Sequence, residues 1–401
     1  MLPGSAKAVA GAFSPGTRTE GNCEVESNRM HFRRIQEGMN TKHPDSARAA
    51  GHLAGLCILL LVTSAAAEPA ELHHMVDREA VASVMEAIGV PGISASVVRG
   101  DTQEVVALGS ASPDADIDVR PRTIFEAASL SKTVFATMFM EGVSDGEFAL
   151  DEPLVNTAVA RRVSDQAMYR MLTPRLILSH QTGLPNWAGD ARDPGRTDPL
   201  VFEHEPGAAF RYSGEGYELL RAHVEQVSGL SLEANFDKKR RRYGMLKSHF
   251  AFDETPTNSA VAKGISPETT RSIPPSPRGL AAASLITSAY DYGHFLHYLL
   301  RNESLLDALV TSQVTIEESG DGTISWGLGW GLYERADGSR VAFHWGDNFQ
   351  FKAFVAIDLD NEIAVVYFAN GVEGLKLIGT IVEPVVGELG MVRDWLDYED
   401  D

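Results

Sequence analysis

The sequence predicts an α+β fold, an α/β sandwich in which an antiparallel sheet flanked by helices is built from both ends of the chain around an all-helical insertion. Three observations support this prediction. Short β-rich runs surround a turn near residue 100, helical patterns broken by Pro and Gly occupy residues 140–300, and β-rich runs return in the last hundred residues. We therefore assign a sheet lobe to residues 68–135 and 280–393, and a helical lobe to residues 136–279.

The individual elements follow from hydrophobic spacing and from turn residues. A first helix ends at Gly89, and a hairpin turns at Gly100-Asp101. A second helix covers residues 130–138, where apolar side chains recur at helical spacing, and a C-terminal helix begins near Glu373. Successive strands are predicted in the last hundred residues, at 326–333, 340–344, 352–359 and 363–368.

The composition is that of an acidic globular protein. The chain has 401 residues, 35 Lys and Arg against 55 Asp and Glu, a formal net charge of −20 and 44% apolar residues. The apolar content excludes a disordered chain, and the acidity argues against nucleic-acid partners and anionic lipid surfaces, which need a basic footprint. The basic run at 238–242 is interpreted as the end of a surface helix, where cations complement the helix dipole.

An apolar run near the N-terminus predicts export. Residues 53–62 are apolar and are followed by Ala65-Ala66-Ala67, a small-residue site typical of signal-peptide cleavage. We predict a signal peptide over residues 39–67, cleaved after Ala67, and a secreted or periplasmic mature protein. Because the run is shorter than the roughly 20 residues of a spanning helix, we expect no stable membrane span after processing. An uncleaved N-terminal anchor is the alternative.

The predicted signal peptide divides the chain into an upstream segment and a mature domain. Residues 1–38 are rich in small and polar residues, and we expect them to be unstructured or to precede the true translation start. The mature domain covers residues 68–393, and residues 394–401 form an acidic tail. Because Cys23 and Cys57 both precede the predicted cleavage site, the mature protein would contain neither a disulfide nor a cysteine nucleophile.

The first chemical motif is Ser-x-x-Lys at residues 129–132, which opens the second predicted helix. Three residues apart, the Ser129 hydroxyl and the Lys132 amine share one helical face. A desolvated lysine beside a hydroxyl can lose its proton and act as a base, and the helix N-terminus offers N–H groups to a developing oxyanion. Ser131 is a poorer nucleophile candidate because it points about 100° away from Lys132 around the helix.

Two further segments support a catalytic role for this Ser-x-x-Lys motif. Tyr212 offers a second group for proton transfer, and His344 precedes Gly346 in a predicted strand, where glycine permits close approach by a ligand. The chain has no nucleophile elbow, no dinucleotide fingerprint and no zinc-peptidase motif. No metal ligand set has a recognisable spacing either, so neither a metal nor an organic cofactor is expected.

In these three segments the sequence resembles the serine β-lactamase and penicillin-binding-protein superfamily, in its class C-like branch. The signatures of that branch are Ser-x-x-Lys, Tyr-x-Asn, and Lys-Thr-Gly or His-x-Gly, in this chain order. The resemblance covers nearly all of residues 70–393. It implies the β-lactamase/transpeptidase-like fold and acyl transfer through an acyl-enzyme.

The resemblance also implies roles for individual residues. Ser129 would be the acylated nucleophile, Lys132 its proton partner, and Tyr212 the general base and later the acid to the leaving group. His344 would bond the Tyr212 hydroxyl or the substrate. The backbone N–H groups of Ser129 and Asp347 would form the oxyanion hole.

Three departures from the family pattern affect the expected substrate. Gly214 stands where the family has Asn, which removes the amide that grips the acyl side chain. His344 replaces a permanently charged Lys, and Asp347 adds negative charge where a substrate carboxylate would lie. With an ordinary pKa of about 6.5, His344 would gain charge at lower pH and improve any turnover of β-lactams there.

The sequence therefore predicts a secreted or periplasmic serine hydrolase that acts on a small-molecule or peptide-like acyl donor, with short esters preferred over β-lactams. Two alternatives of the same chemistry stay open, a true class C-type β-lactamase and a D-Ala-D-Ala carboxypeptidase. A non-catalytic binding module resembling a penicillin sensor is the alternative from another class.

Overall fold

A computed structural model describes residues 75–191, 193, 195–254 and 261–399 of the chain. The predicted upstream segment, signal peptide and cleavage site lie outside these described residues, as does the end of the predicted acidic tail at residues 400–401. Within the described ranges, no helix has the length and apolar character that crossing a membrane requires.

The elements alternate between a sheet contributed by both chain ends and helices between and around them. Over the described residues the strands are β1 (Gly92–Arg99), β2 (Thr102–Ser112), β3 (Ile117–Asp118), β4 (Phe125–Glu126), β5 (Gly264–Ile265), β6 (Thr270–Arg271), β7 (Ile286–Thr287), β8 (Val314–Ser319), β9 (Gly322–Trp326), β10 (Gly331–Arg335), β11 (Arg340–Asn348), β12 (Phe351–Asp358) and β13 (Ile363–Ala369). The helices are α1 (Arg78–Ile88), α2 (Ser131–Ser144), α3 (Gln166–Tyr169), α4 (Pro174–Leu178), α5 (Gly214–Ser228), α6 (Leu232–Arg240), α7 (Ala289–Leu300), α8 (Glu303–Val310), α9 (Glu383–Val386) and α10 (Gly390–Glu399).

The main sheet has nine antiparallel strands in the order β3-β2-β1-β13-β12-β11-β10-β9-β8. Strand β1 lies directly beside β13, with Val97 opposite Val365, so the two ends of the chain meet in the middle of the sheet. The predicted α+β class, with an antiparallel sheet built from both chain ends, is therefore confirmed. The division into a sheet lobe and a helical lobe stays a prediction.

Both faces of the sheet are covered, and this burial explains why its central strands are almost entirely apolar. Along β13, Val365 and Tyr367 pack into one core with α1 and α10, whereas Val366 and Phe368 pack into a second core with α2 and α7. Alternate residues of a strand point to opposite faces, so a two-sided sheet needs apolar residues at every position. The second core contains the helix that carries the Ser-x-x-Lys motif.

Several predicted boundaries are correct for identifiable local reasons. The first helix ends at Gly89, which adopts φ 71° as a left-handed cap. The hairpin turns at Gly100 as expected, between β1 and β2. The tight turn at Asp360-Asn361 is held by Asp358, whose carboxylate accepts the backbone N–H groups of both residues at 3.0 and 2.9 Å.

The prediction of a single strand over 326–333 is wrong. Strand β9 ends at Trp326, and a turn containing Gly329 at φ 88° leads into β10 at Gly331. The Gly327 N–H donates to Trp330 O at 2.8 Å, which closes a turn here. A side chain at Gly327 would meet the Leu309 carbonyl oxygen at 2.3 Å, so this turn requires glycine. Strand β8 was not anticipated, because this edge strand is largely exposed and its apolar alternation is limited to Val314 and Ile316.

The C-terminal helix is also less regular than predicted. The chain from Glu373 passes through a 3₁₀ turn and a π-helical turn before α9, and Gly387 at φ 84° separates α9 from α10. A glycine in this conformation ends a helix without the steric penalty that a side chain would impose.

Candidate active site

Ser129 lies in a strained turn immediately before α2. The turn runs over Ala128–Leu130, and Ala128 adopts φ 48°, a conformation that costs a residue with a side chain about 1–3 kcal/mol. Two interactions hold it: Ala127 N donates to Leu285 O at 2.8 Å, and the Ser131 hydroxyl donates to Ala128 O at 2.6 Å. The Ser131 oxygen also accepts the Leu285 N–H at 3.0 Å, so Ser131 ties the turn to the residues before β7.

Lys132 lies on the first turn of α2 and reaches back to Ser129. Its Nζ donates to Ser129 Oγ at 3.0 Å and to the Ala282 carbonyl oxygen at 2.9 Å. Complete burial lowers the pKa of Lys132 from 10.5 to about 7, and the negative charge of Glu218 opposes this shift. The Lys132 amine can therefore exist in its neutral, proton-accepting form near pH 7.

Glu218 was missed by the sequence analysis, although it is buried and close to this lysine. Its Oε1 accepts the backbone N–H of Ala282 at 3.2 Å, while the carbonyl of the same residue accepts Lys132. Arg221 pairs with the other carboxylate oxygen of Glu218 at 2.7 Å. Glu218 lies on α5, six residues after Tyr212 in the sequence. It is linked to Lys132 through the backbone of Ala282, which is distant in the chain, so no local sequence pattern indicates that Glu218 belongs to the site.

Tyr212 lies among aromatic rings at the mouth of the site. Its ring centroid is 4.3 Å from that of His180 and 5.0 Å from that of Trp345, and Lys132 Nζ lies 4.7 Å from the Tyr212 ring centroid. The buried His180 imidazole also accepts the backbone N–H of Ser213 at 3.0 Å through Nδ1. His180 therefore packs against the Tyr212 ring and also holds the backbone of Ser213, the next residue.

His344 is fully buried, and its charge behaviour differs from the sequence expectation. Its Nδ1 bonds the Trp345 carbonyl at 2.7 Å, whereas its Nε2 makes no hydrogen bond to any described residue, so the expected bond to the Tyr212 hydroxyl is not formed. Burial, reinforced by the positive charge of Lys132, lowers the pKa of His344 to about 3. The expectation that His344 has its ordinary pKa of about 6.5 and gains charge just below it is therefore wrong.

Gly346 brings β11 against the turn that carries Ser129. A side chain at Gly346 would lie 2.6 Å from Ala127 O, closer than real contacts allow, and 3.1 Å from Ala128 Cβ, which is a tight contact. Only glycine permits this approach of backbone to backbone. It places Asp347, the next residue, along the same cleft as Ser129.

The side chain of Asp347 is paired, which the sequence analysis did not anticipate. Lys352 forms an ion pair with Asp347 Oδ2, and Asp347 Oδ1 accepts the backbone N–H of Phe349 at 2.8 Å. The two residues stand directly opposite each other on β11 and β12. The negative charge expected at Asp347 is thus compensated, and the hairpin register is the signal that could have revealed Lys352.

Gly214 is the first residue of α5, and it lies beneath an aromatic ring. A side chain at this position would meet the Trp187 ring at 2.7–2.9 Å, and the Gly214 N–H donates to Asn186 Oδ1 at 3.0 Å. Trp187 therefore occupies the space into which a side chain at residue 214 would project. Asn186 and Trp187 both line the cleft, and neither was singled out from the sequence.

Asn186 and Trp187 line a cleft of about 1230 Å³ together with Ser129, Tyr212 and Asp347, whereas Lys132 and His344 are buried behind its lining residues. A cleft of this size can accept a ligand larger than a short ester, since typical ligand pockets measure about 300–1,000 Å³. Among the residues that the structure describes, no group of three or more His, Cys, Asp or Glu side chains could hold a metal ion.

Comparisons with known proteins match this chain in sequence and in fold. A family model described as Beta-lactamase matches residues 78–377. Penicillin-binding protein 4 from Amycolatopsis lactamdurans is 30% identical over 155 residues, which cover 35% of this chain and 40% of that protein. The chain is thus matched over less than half the length of this curated relative.

Solved structures match over most of the chain. SurE with D-Leu is 26% identical with a TM-score of 0.60, covering 76% of this chain and 74% of that one. The octameric penicillin-binding protein homologue from Pyrococcus abyssi has a TM-score of 0.63 at 22% identity, covering 76% and 77%. A class C beta-lactamase has a TM-score of 0.64 at 18% identity, covering 78% and 94%, and these last two support the fold alone.

Proposed function

The chain belongs to the beta-lactamase family, whose members with this fold are serine hydrolases, and we propose that it hydrolyses an ester, amide or peptide-like acyl donor through a Ser129 acyl-enzyme. The observation that carries this proposal is the 3.0 Å contact between Lys132 Nζ and Ser129 Oγ, made by an amine whose pKa is lowered to about 7. An amine with this pKa is neutral in about half of the molecules at pH 7, and in that form it can accept the proton of the attacking hydroxyl.

The proposed reaction has two halves. Ser129 Oγ attacks the acyl carbonyl carbon, and its proton passes to Lys132 Nζ, which contacts Ser129 Oγ, instead of to Tyr212, the general base that the resemblance implies. The backbone N–H groups of Ser129 and Asp347 stabilise the oxyanion. Lys132 and Tyr212 return the proton to the leaving group as its bond to the carbonyl breaks. Water then attacks the carbonyl carbon of the acyl-enzyme and gives a proton to Lys132 and Tyr212. These groups pass a proton to Ser129 Oγ as its bond to the acyl carbon breaks, which releases the free acid and restores the Ser129 hydroxyl.

We propose short esters rather than β-lactams as preferred substrates. A penicillin or cephalosporin carries a carboxylate that the family meets with a charged Lys, but here a neutral His344 stands at that position. The Asp347–Lys352 pair beside it carries no net charge. An activated ester needs only the nucleophile, its proton partners and the oxyanion hole.

A comparison of substrate classes tests this proposal. The wild-type protein should hydrolyse p-nitrophenyl butyrate with a higher kcat/KM than a chromogenic cephalosporin at pH 7.5. Faster hydrolysis of the cephalosporin would favour a true β-lactamase, and a stable adduct without turnover would favour the sensor-like binding module. D-amino-acid amides belong in the same panel, because one similar structure is that of SurE with D-Leu.

The pH dependence of ester hydrolysis should report Lys132. Because Lys132 acts in its neutral form, kcat/KM should fall as the pH drops through about 7, whereas His344 stays neutral down to about pH 3 and adds nothing. Glu218→Gln removes the charge that raises the pKa of Lys132, so the acid limb should move to lower pH. An acid limb that stays in place or moves upward in this variant would contradict the assignment.

We further propose that the protein is exported. The support is the apolar run at 53–62 followed by Ala65-Ala66-Ala67. N-terminal sequencing of protein recovered from the cell envelope should begin at or near Glu68, and a mature chain that retains Cys57 would refute the proposal.

A further inference from the structure

An arginine in the wall of the cleft has donor capacity that the protein itself does not use. Arg196 Nη2 donates to Glu215 at 3.2 Å, but its Nη1 is buried and makes no hydrogen bond to any described residue. Only 9% of the Arg196 side chain is exposed, and the residue lines the same cleft as Ser129. A buried N–H of a charged group without an acceptor is costly, which indicates that an acceptor is supplied from outside the chain.

Glu215 cannot supply that acceptor, because its oxygens are already occupied. Arg162 donates to both of them at 3.0 and 3.2 Å, and Ala188 N donates to Oε1 at 3.0 Å. Two guanidinium groups therefore share one fully buried carboxylate, so these three side chains together carry a charge of +1. Such a site favours an anion over water, because electrostatic attraction is stronger in a partly desolvated cleft.

The position of Arg196 indicates which part of the substrate would reach it. Its guanidinium carbon lies 5.5 Å from the Trp187 ring centroid, and Trp187 covers Gly214, where the family's acyl-gripping Asn would stand. Arg196 is therefore part of the cleft wall next to Trp187 and Gly214, on the side where the family resemblance implies that the acyl group lies. Asp193 also lines the cleft, so the attraction is local and the anion must contact the guanidinium directly.

We propose that Arg196 binds a carboxylate at the far end of the acyl group, so that the preferred acyl donors are monoesters or monoamides of dicarboxylic acids or acyl groups with an acidic side chain. This inference rests on the proposed function and names its substrate class. A carboxylate accepts two parallel N–H groups from a guanidinium, and such charge-assisted bonds are about twice as strong as neutral ones. Arg162 is a positioning residue, because it fixes Glu215 and thereby the guanidinium plane of Arg196.

Substrate pairs of matched length test the inference on the wild-type protein. Mono-p-nitrophenyl adipate, pimelate and suberate are each compared with the p-nitrophenyl ester of the unsubstituted acid of the same chain length. The acid-ended ester should have a kcat/KM about 10–100-fold higher at the best length, the range expected of one hydrogen bond between charged groups. Equal or lower values for the acid-ended esters at every length would overturn the inference.

Variants then assign the preference to one side chain. Arg196→Met should abolish the preference, measured as the ratio of kcat/KM for the acid-ended ester to kcat/KM for the neutral ester. Arg196→Lys should retain part of this ratio, since it keeps the charge without the fork. Arg340→Gln removes a positive charge from an exposed residue at the start of β11 and should leave the preference unchanged. An equal loss of preference in Arg340→Gln would mean that the overall charge, not Arg196, is responsible.

A binding measurement separates this inference from the proposed function. Ser129→Ala should bind mono-p-nitrophenyl adipate more tightly than p-nitrophenyl hexanoate in a calorimetric titration, and the added Arg196→Met change should remove the difference. If the wild-type protein hydrolyses no ester but this binding difference is found, the proposed function fails and the Arg196 site stands. Equal binding of both esters would overturn the Arg196 site even if the wild-type protein hydrolyses them.

Discussion

Lys132→Met should lower kcat/KM for p-nitrophenyl butyrate by at least about 10³-fold while leaving the protein folded. The Lys132 amine is the group in hydrogen-bond contact with Ser129 Oγ, at 3.0 Å, and methionine fills a similar volume without accepting a proton. The same change should raise the midpoint of thermal unfolding, by an amount that grows as the pH falls from about 10.5 to about 7 and is largest below about pH 7, because burial disfavours the charged amine in the folded protein. Measurements of kcat/KM and of the midpoint of thermal unfolding at pH 6.5 check that the first falls and the second rises.

Ser131→Ala is the matched control. In contrast to Lys132→Met, it should lower the stability of the protein while retaining most of its activity. Ser131 bonds Ala128 O and accepts the Leu285 N–H, so its loss leaves a buried donor unsatisfied and should cost about 1–3 kcal/mol of stability. Ester hydrolysis should stay within about tenfold, because Ser131 takes no part in the proposed chemistry. Loss of activity in Ser131→Ala with retention in Lys132→Met would contradict the proposed mechanism.

Gly346→Ala should lower kcat by about 10²–10³-fold, the effect of removing one oxyanion-hole donor. The new methyl group would lie 2.6 Å from Ala127 O, so β11 must move away from the turn that carries Ser129. This movement takes the Asp347 N–H out of the position in which it would stabilise the oxyanion. Because the donor acts on the transition state, kcat should fall much more than KM rises.

Gly320→Ala provides the control for this prediction. Gly320 lies in the turn between β8 and β9, and a side chain there would meet nothing within 4 Å. Its kinetics should equal those of the wild-type protein. If Gly346→Ala kept its activity within about tenfold, β11 would not contribute the second oxyanion donor assumed here.

The parts of the fold that follow from local pattern could be predicted from the sequence. The β-rich runs at both ends of the chain pair in one sheet, because a hairpin flanked by apolar residues and a run of apolar strands can bury their faces only together. The contact between Ser129 and Lys132 depends on a spacing of three residues, which survives even though Ser129 precedes the α-helix in a 3₁₀ turn.

The features that sequence reasoning missed depend on contacts between distant segments. The charge state of His344 is set by complete burial against Lys132, which lies more than two hundred residues away in the chain. Trp187 covers Gly214, and Arg196 meets Glu215, only because the segment before Leu200 folds over the start of α5. Lys352 is the exception, since the short β11–β12 turn fixes its register opposite Asp347.

The central claim is that Ser129 becomes acylated, and mass spectrometry of the rapidly quenched reaction tests it most directly. The wild-type protein, mixed with p-nitrophenyl butyrate and quenched in acid during turnover, should gain one butyryl group. Peptide mapping should place that group on Ser129, and Ser129→Ala should gain none. A butyryl group on another residue, or undiminished turnover by Ser129→Ala, would contradict the account.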